Sequence, residues 1–304
     1  SSPEGARDFV IPSRKFKGKF YALPQAPQIY KQLLMVSGFN KYFQIAPCFR
    51  DEDCRADRTL EFYQLDFEMS FATEEDVYKT GERIFYDIFT NFSDKEVSKT
   101  PFKRIPYREA MLKYGSDKPD LRNPLIIEDL TDILSLADFA PFKDTTIRAI
   151  KVSSIDKSNS WFKQMEEYTK TLGGTLGYIK VNEDMTFKSS LDKFLNDDIR
   201  NKLKDRLSLT SGNIIFIVAN QNKEKCAKIL GQLRIKLGNE LDLLKKNCYE
   251  FCIINDFPMY EYNEETNTWD FGHNPFSMPK GGMESLKNSN IEDILAYQYD
   301  FVCN

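Results

Sequence analysis

The chain has 304 residues, 41% of them apolar, and a formal net charge of −4. That length fits two domains, or one large domain with an insertion, and the composition supports a sizeable core. The near-neutral charge excludes a global positive field for nucleic acid, so any such contact must come from local basic patches.

Residues 1–18 read as loop, punctuated by Gly5, Pro12 and Gly18, and Lys19–Leu23 as a short strand. Pro27 suits the first turn of a helix running to about Ser37 and closed by Gly38, with Ile29, Leu33, Leu34 and Val36 expected to face a core. Gln28 and Lys31 are three apart and share one side of its first turn. Two alternating strands follow, Tyr42–Arg50 and Phe62–Phe71, on either side of the charged stretch 51–61. Alternation puts Gln44, Ala46, Cys48 and Arg50 on one face of the first strand, and Gln64, Asp66, Glu68 and Ser70 on one face of the second. Paired as a hairpin, they make a sheet with one apolar side and one side of fixed amides and charges. A solvated face would usually carry Lys, Thr and Ser. An Arg, a Gln, an Asp and a Glu on rigid strands suit a small ligand with ammonium, carboxylate and phosphate groups.

Thr73 and Asp76 form a capping box for the next helix, which carries Val77, Ile84, Phe85, Ile88 and Phe89 at core spacing. Ser116–Pro124 is a Gly/Pro/Asp-rich crossing. Beyond it strands are expected at Ile147–Val152, Leu176–Val181 and Asn213–Ala219, with helices between. A further helix runs from about Lys223 to Leu241, its basic residues read as a solvated face. Glu250–Tyr262 and Thr268–Phe271 read as a second hairpin, followed by His273, the one histidine of the chain. A last helix at about 290–297 leads into a strand at Tyr299–Cys303. The pattern divides the chain into 1–115, a separate α+β block at 116–246, and 247–304.

Six cysteines, at 48, 54, 226, 248, 252 and 303, show no disulfide framework, and Cys248 and Cys252 lack a second pair to complete a zinc site. They are read as reduced thiols in a cytoplasmic protein. No apolar run approaches the ~18–20 residues of a membrane span. Both ends start or stop in mid-pattern, so the chain is expected to be a fragment of a longer protein.

Several segments together resemble the bacterial-type aspartyl-tRNA synthetases, which are class II ligases. Ser-Pro-Glu-Gly-Ala-Arg-Asp-Phe (2–9) is similar to the family's mobile loop over the amino-acid pocket, and Gln-Ala-Pro-Gln-Ile-Tyr-Lys-Gln (25–32) to its aspartate-binding signature. Phe-Arg-Asp-Glu-Asp (49–53), with Arg58 and Glu-Phe-Tyr-Gln-Leu-Asp (61–66), resembles class II motif 2 in its aspartate-specific form. The 116–246 block is similar to the insertion domain of the bacterial type, and His273-Asn274-Pro275-Phe276 to a His-rich pocket turn.

The resemblance implies an α+β fold: an antiparallel sheet flanked by helices and interrupted by the smaller insertion domain. It implies activation of L-aspartate with ATP to aspartyl-adenylate and pyrophosphate, then transfer to the 3′ end of tRNA. Arg50 would bridge the aspartate carboxylate and the α-phosphate. Lys31 would pair with the substrate's side-chain carboxylate, while Gln28, Asp66 and Glu4 would surround its ammonium group and His273 would close over it. Asp51, Glu52, Arg58 and Phe62 would serve ATP, with Glu52 near the adenine, Phe62 stacked on it and Arg58 at the outer phosphates. Asp300 would hold Mg²⁺. A homodimeric parent enzyme is implied. Thr59 stands where the bacterial enzymes carry Gln, and Asn274 where they carry a second His. The anticodon-binding barrel and motifs 1 and 3 have no counterpart in these 304 residues, so the isolated chain is expected to be inactive. Two other readings stand beside this one: a non-catalytic binding module that keeps the fold, and a class II ligase for another amino acid.

Overall fold

The computed structural model describes residues 6–54, 58–153, 155–263, 266–272 and 277–304. The fold is mixed α+β, and it gathers into two compact units, Ser1–Gly81 and Glu82–Asn304.

The first unit opens with β1 (Val10–Pro12) and β2 (Phe20–Ala22), an antiparallel pair, so the stretch read as loop contains a strand. Helix α1 (Gln28–Val36) follows and ends as its glycine signal requires, with Gly38 at φ 97°. β3 (Lys41–Phe49) and β4 (Glu61–Met69) then form the expected antiparallel hairpin. Its register sets Gln44 opposite Asp66, Ala46 opposite Gln64 and Cys48 opposite Phe62 on one face. Phe43, Ile45, Pro47, Tyr63, Leu65 and Phe67 share the other.

The two faces do not behave as a simple amphipathic sheet would. Ala46 and Cys48 are buried and Gln64, Asp66 and Glu68 half-buried, whereas Phe43, Ile45 and Tyr63 are 73%, 66% and 69% exposed. The polar side is the sheltered one. The expectation for α1 is likewise corrected. Ile29, Leu33 and Val36 are exposed, and the helix buries no residue fully, because the face it lays on the hairpin is the one bearing Lys31.

Helix α2 (Glu74–Asn91) starts with the capping box expected from sequence. The Thr73 amide donates to Asp76 Oδ2 (2.9 Å) and the Asp76 amide to Thr73 Oγ1 (3.3 Å). In the second unit, β5 (Glu96–Val97) and β6 (Lys103–Pro106) lead into α3 (Tyr107–Tyr114), then β7 (Ile127–Asp129) and the short α4 (Thr131–Leu134). β8 (Thr146–Val152), α5 (Asn159–Thr171), β9 (Leu176–Val181), β10 (Phe187–Lys188), α6 (Asp197–Leu207), β11 (Ile214–Asn220) and α7 (Lys223–Glu240) come next. The strands form one antiparallel sheet in the order β10-β9-β11-β8-β7. It is covered on both sides, which explains the unbroken apolar run Ile-Ile-Phe-Ile-Val at 214–218. Ile215 and Ile217 face a core shared with Leu134, Ile199 and Leu203. Ile214, Phe216 and Val218 face Phe162, Met165, Leu230 and Leu233.

Two features tie this block down. Gly115 and Gly231 meet backbone to backbone: a Cβ on Gly231 would lie 2.6 Å from the Gly115 carbonyl oxygen. Gly115 also caps α3 in the left-handed region, φ 66°. Arg234 is the second. It was expected on a solvated face but is 1% exposed. Its guanidinium donates to the carbonyls of Leu125 (2.6 Å), Asn123 (2.7 Å) and Asp120 (3.0 Å). The crossing at 116–124 turns its carbonyls inward, and a buried arginine satisfies them.

The remainder is β12 (Cys248–Tyr249), β13 (Phe251–Asn255), β14 (Tyr260–Asn263), β15 (Thr268–Phe271), α8 (Gly282–Asn288) and β16 (Asp300–Cys303). Glu250–Tyr262 is therefore two strands, not one. Asp256 at φ 54° and Pro258 break it, so β13 joins β16 and β6 while β14 pairs with β15. The last helix lies at 282–288, earlier than expected. The 290–297 stretch holds only a 3₁₀ turn at Ile291–Asp293, because Ile294 and Ala296 are drawn into extended hydrogen bonding with Met259 and Phe257. Among the described residues no helix is long and apolar enough to cross a membrane, and all six cysteines are free thiols.

Candidate active site

The sheltered face of the β3–β4 hairpin gathers the charged groups singled out in the sequence. Lys31, on the α1 side turned toward the strands, places its Nζ 2.8 Å from Asp66 Oδ1 and 2.8 Å from Glu68 Oε1. The Lys31 and Asp66 side chains are 13% and 15% exposed. Burial works against the ammonium charge and is the largest single influence. The hydrogen bonds and charges of the two carboxylates outweigh it and hold Lys31 above its usual range. An ammonium has three N–H donors, and these carboxylates engage two.

Asp66 is only half satisfied. Its Oδ2 is buried and accepts no hydrogen bond among the described residues. A buried carboxylate oxygen without a donor costs free energy, so this atom marks a place where a donor belongs.

Arg50 follows β3 directly. Its Nε donates to the Gln25 carbonyl (3.2 Å), and its guanidinium lies 5.2 Å from the centre of the Phe62 ring. Gln25, 2% exposed, donates from Nε2 to the Ala6 carbonyl (3.0 Å) and to Asp8. The Asp51 amide donates to the Arg7 carbonyl (3.1 Å). Residues 6–8 are thus pinned alongside Arg50. Gln28 begins α1 and is half-buried, while Asp51, Glu52 and Arg58 are exposed at the hairpin's open end.

The structure therefore brings Lys31 and Asp66 together, and Arg50 with Phe62. Glu4 and His273 lie outside the described residues. Asp300 belongs to the other compact unit, where it is 39% exposed and 3.5 Å from Lys118 Nζ. The sequence reading put Glu68 on the charged face and Gln25 in the 25–32 signature but gave neither a role in the site. Glu68 was legible as the next residue on the face of Asp66. Gln25 heads the 25–32 signature, but what it does becomes visible only in its contacts with residues 6–8.

The family model for class II tRNA synthetases (D, K and N) matches residues 1–304. The chain belongs to that family. A relative from Rickettsia canadensis named aspartate–tRNA(Asp/Asn) ligase is 55% identical over 316 residues, which cover 100% of this chain and 52% of the relative. A protein of the same name from Rickettsia akari is 56% identical, and one from Rickettsia prowazekii 53%, with the same shares covered. The chain spans about half the length of the curated relatives it matches. Among solved structures, asparaginyl-tRNA synthetase from Pyrococcus horikoshii complexed with asparaginyl-adenylate covers 77% of this chain and 57% of its own, at 17% identity and a TM-score of 0.29.

Proposed function

We propose that this chain supplies the aspartate-activating part of an enzyme that joins L-aspartate to tRNA at the expense of ATP. The observation that carries the reading is Asp66 Oδ2, a buried acceptor without a donor beside a lysine with one N–H to spare. An amino acid with a second carboxylate satisfies both. Its ammonium group would donate to Asp66 Oδ2, with Gln28 and Glu4 beside it. Its side-chain carboxylate would take the third Lys31 N–H, and His273 would close over it.

The reaction needs no protein nucleophile. An oxygen of the aspartate α-carboxylate attacks the α-phosphorus of ATP, the bond to the bridging oxygen breaks, and pyrophosphate leaves. A hydroxyl of the terminal tRNA adenosine then attacks the activated carbonyl and releases AMP. Arg50 would span carboxylate and α-phosphate and stabilise the charge that builds on the phosphate oxygens. Phe62 would offer a face to the adenine, Glu52 hydrogen-bond acceptors beside it, and Asp51 and Arg58 the hairpin end that meets the nucleotide, Arg58 at the outer phosphates. Catalysis is then positioning plus electrostatics.

Mg²⁺ fits only in part. No group of three metal-ligating side chains occurs among the described residues. By the family resemblance, Asp300 would be one ligand to an ion that arrives on the nucleotide phosphates, as Mg²⁺ commonly does. When bound, the ion would neutralise phosphate charge.

The relatives' name extends to tRNA(Asp) and tRNA(Asn) as proposed partners of the longer enzyme; a cytoplasmic homodimer is our reading from the family resemblance alone. The divisions at 115/116 and 246/247 remain our reading of which segments serve catalysis and which form the insertion. Calorimetric titration of the chain with aspartate, asparagine and lysine, each with an ATP analogue present, tests the assignment. Saturable heat with aspartate alone is expected, and equal binding of lysine would overturn it. The isolated 304 residues are expected to be inactive, and measurable pyrophosphate exchange with aspartate would refute that.

A further inference from the structure

A cleft of about 640 Å³ opens at the N-terminal end of α7, between α3 and the β14–β15 hairpin, wholly within the Glu82–Asn304 unit. That is within the range of small-ligand sites, about 300–1,000 Å³. Its floor is Arg148, on β8 and only 9% exposed. The Arg148 guanidinium makes no hydrogen bond among the described residues, and its Nε is buried without an acceptor. Asp129 Oδ2 is 3.6 Å from that Nε, beyond hydrogen-bond distance, on a side chain 40% exposed. Asp129 is thus an ion-pair partner that takes no hydrogen bond, and a buried guanidinium with unused donors is costly unless acceptors meet them.

The same cleft receives the start of an 18-residue helix. Asn222 Oδ1 caps the Lys225 amide (2.9 Å), while the Lys223 and Glu224 amides find no acceptor among the described residues. Helix N-termini with open amides favour anions. Lys223 and Lys228, both exposed, add positive charge. Arg108 does not, since it is turned to the Glu292 carbonyl and Asp293. The outer wall is aromatic, with Trp269 packed edge-on against Tyr262 at 5.4 Å. Three carboxylates, Glu224, Glu261 and Glu292, stand on the rim.

We propose that this cleft binds a nucleoside monophosphate. The phosphate meets Arg148, Lys223 and the first amides of α7, and the base lies against Trp269. Glu224 and Glu292 accept from ribose hydroxyls and from an amino group on the base. A bare inorganic anion would leave the aromatic wall unused.

The chain has two tryptophans, Trp161 and Trp269, so Trp161→Phe leaves the cleft's own residue as a fluorescent reporter. Titration of that variant with AMP up to about 5 mM is expected to give saturable quenching, in the range of weak small-ligand binding. Adenosine, lacking the phosphate, is expected to bind at least about tenfold more weakly, as is AMP to Arg148→Gln. Lys223→Glu, at an exposed position, is expected to weaken AMP binding several-fold without moving the melting temperature. It keeps the test decisive if Arg148→Gln fails to fold. Arg50→Ala, in the other unit, is expected to leave the quenching intact, which separates this site from the proposed ATP site. Absence of saturation, equal binding of adenosine, or unchanged AMP affinity in Lys223→Glu would overturn the proposal.

Discussion

Lys31 Nζ sits 2.8 Å from Asp66 Oδ1, while the other oxygen of the same carboxylate, Oδ2, is buried with no donor. One side chain is thus held in place by the protein and left half-unsatisfied, as a preorganised ligand acceptor should be.

Removing the lysine tests this pairing. Lys31→Ala is expected to raise the dissociation constant for aspartate by at least about tenfold, a loss of about 1.4 kcal/mol, while ATP binding changes by less than about twofold. Calorimetry with each ligand reads the split. An equal loss for both would remove Lys31 from the proposed amino-acid pocket.

The same residue sets a pH dependence. Lys31 is held above the ordinary value of 10.5, so it binds its proton more tightly in the folded state. Its contribution to stability is fully present below 10.5 and is lost as pH rises through the higher folded value. Urea denaturation of parent and Lys31→Met should show a stability gap that is constant from neutral pH to about 9.5 and narrows above 10.5. A gap that widens with alkali would contradict the assignment.

Gly231→Ala places a methyl group against the Gly115 carbonyl, which belongs to backbone and cannot swing aside. Overpacking of this kind costs about 1–3 kcal/mol, to be read from the urea midpoint at unchanged slope. An alanine there without effect would mean that α3 and α7 separate easily.

Arg234→Leu removes the donor to the inward-facing carbonyls of Asp120, Asn123 and Leu125. A loss of about 3–5 kcal/mol is expected, and Arg234→Lys should recover little of it, because an ammonium cannot reproduce the planar fork. Thermal melting of the two variants measures both.

How far the fold was legible depended on whether a local rule governed each segment. The β3–β4 hairpin and the Thr73–Asp76 box followed alternation and capping, both local signals, and came out as read. The 250–262 stretch looked like one strand because its apolar run is nearly continuous. The polar pair Asn255-Asp256 and Pro258 mark the division in the sequence, but the left-handed turn at Asp256 that sends the two halves to different sheets does not show there. Arg234 looked like surface because charge usually is, and only the distant carbonyls of residues 120–125 make it core. The site split the same way: Lys31, Arg50 and Asp66 stood out as charges on regular elements, whereas Gln25 acquires its place from chain packing at residues 6–8. The helix expected at 290–297 failed because those residues are claimed by Phe257 and Met259, a tertiary demand that helix propensity does not register.

The contact between Gly115 and Gly231 has a mechanical consequence. At the point where the two glycines meet main chain to main chain, no side chain lies between them to act as a cushion. A push on α7 passes straight into α3 and on to β6, which α3 directly follows. The five-stranded block therefore rides on its support as a stiff bracket rather than swinging as a pendant.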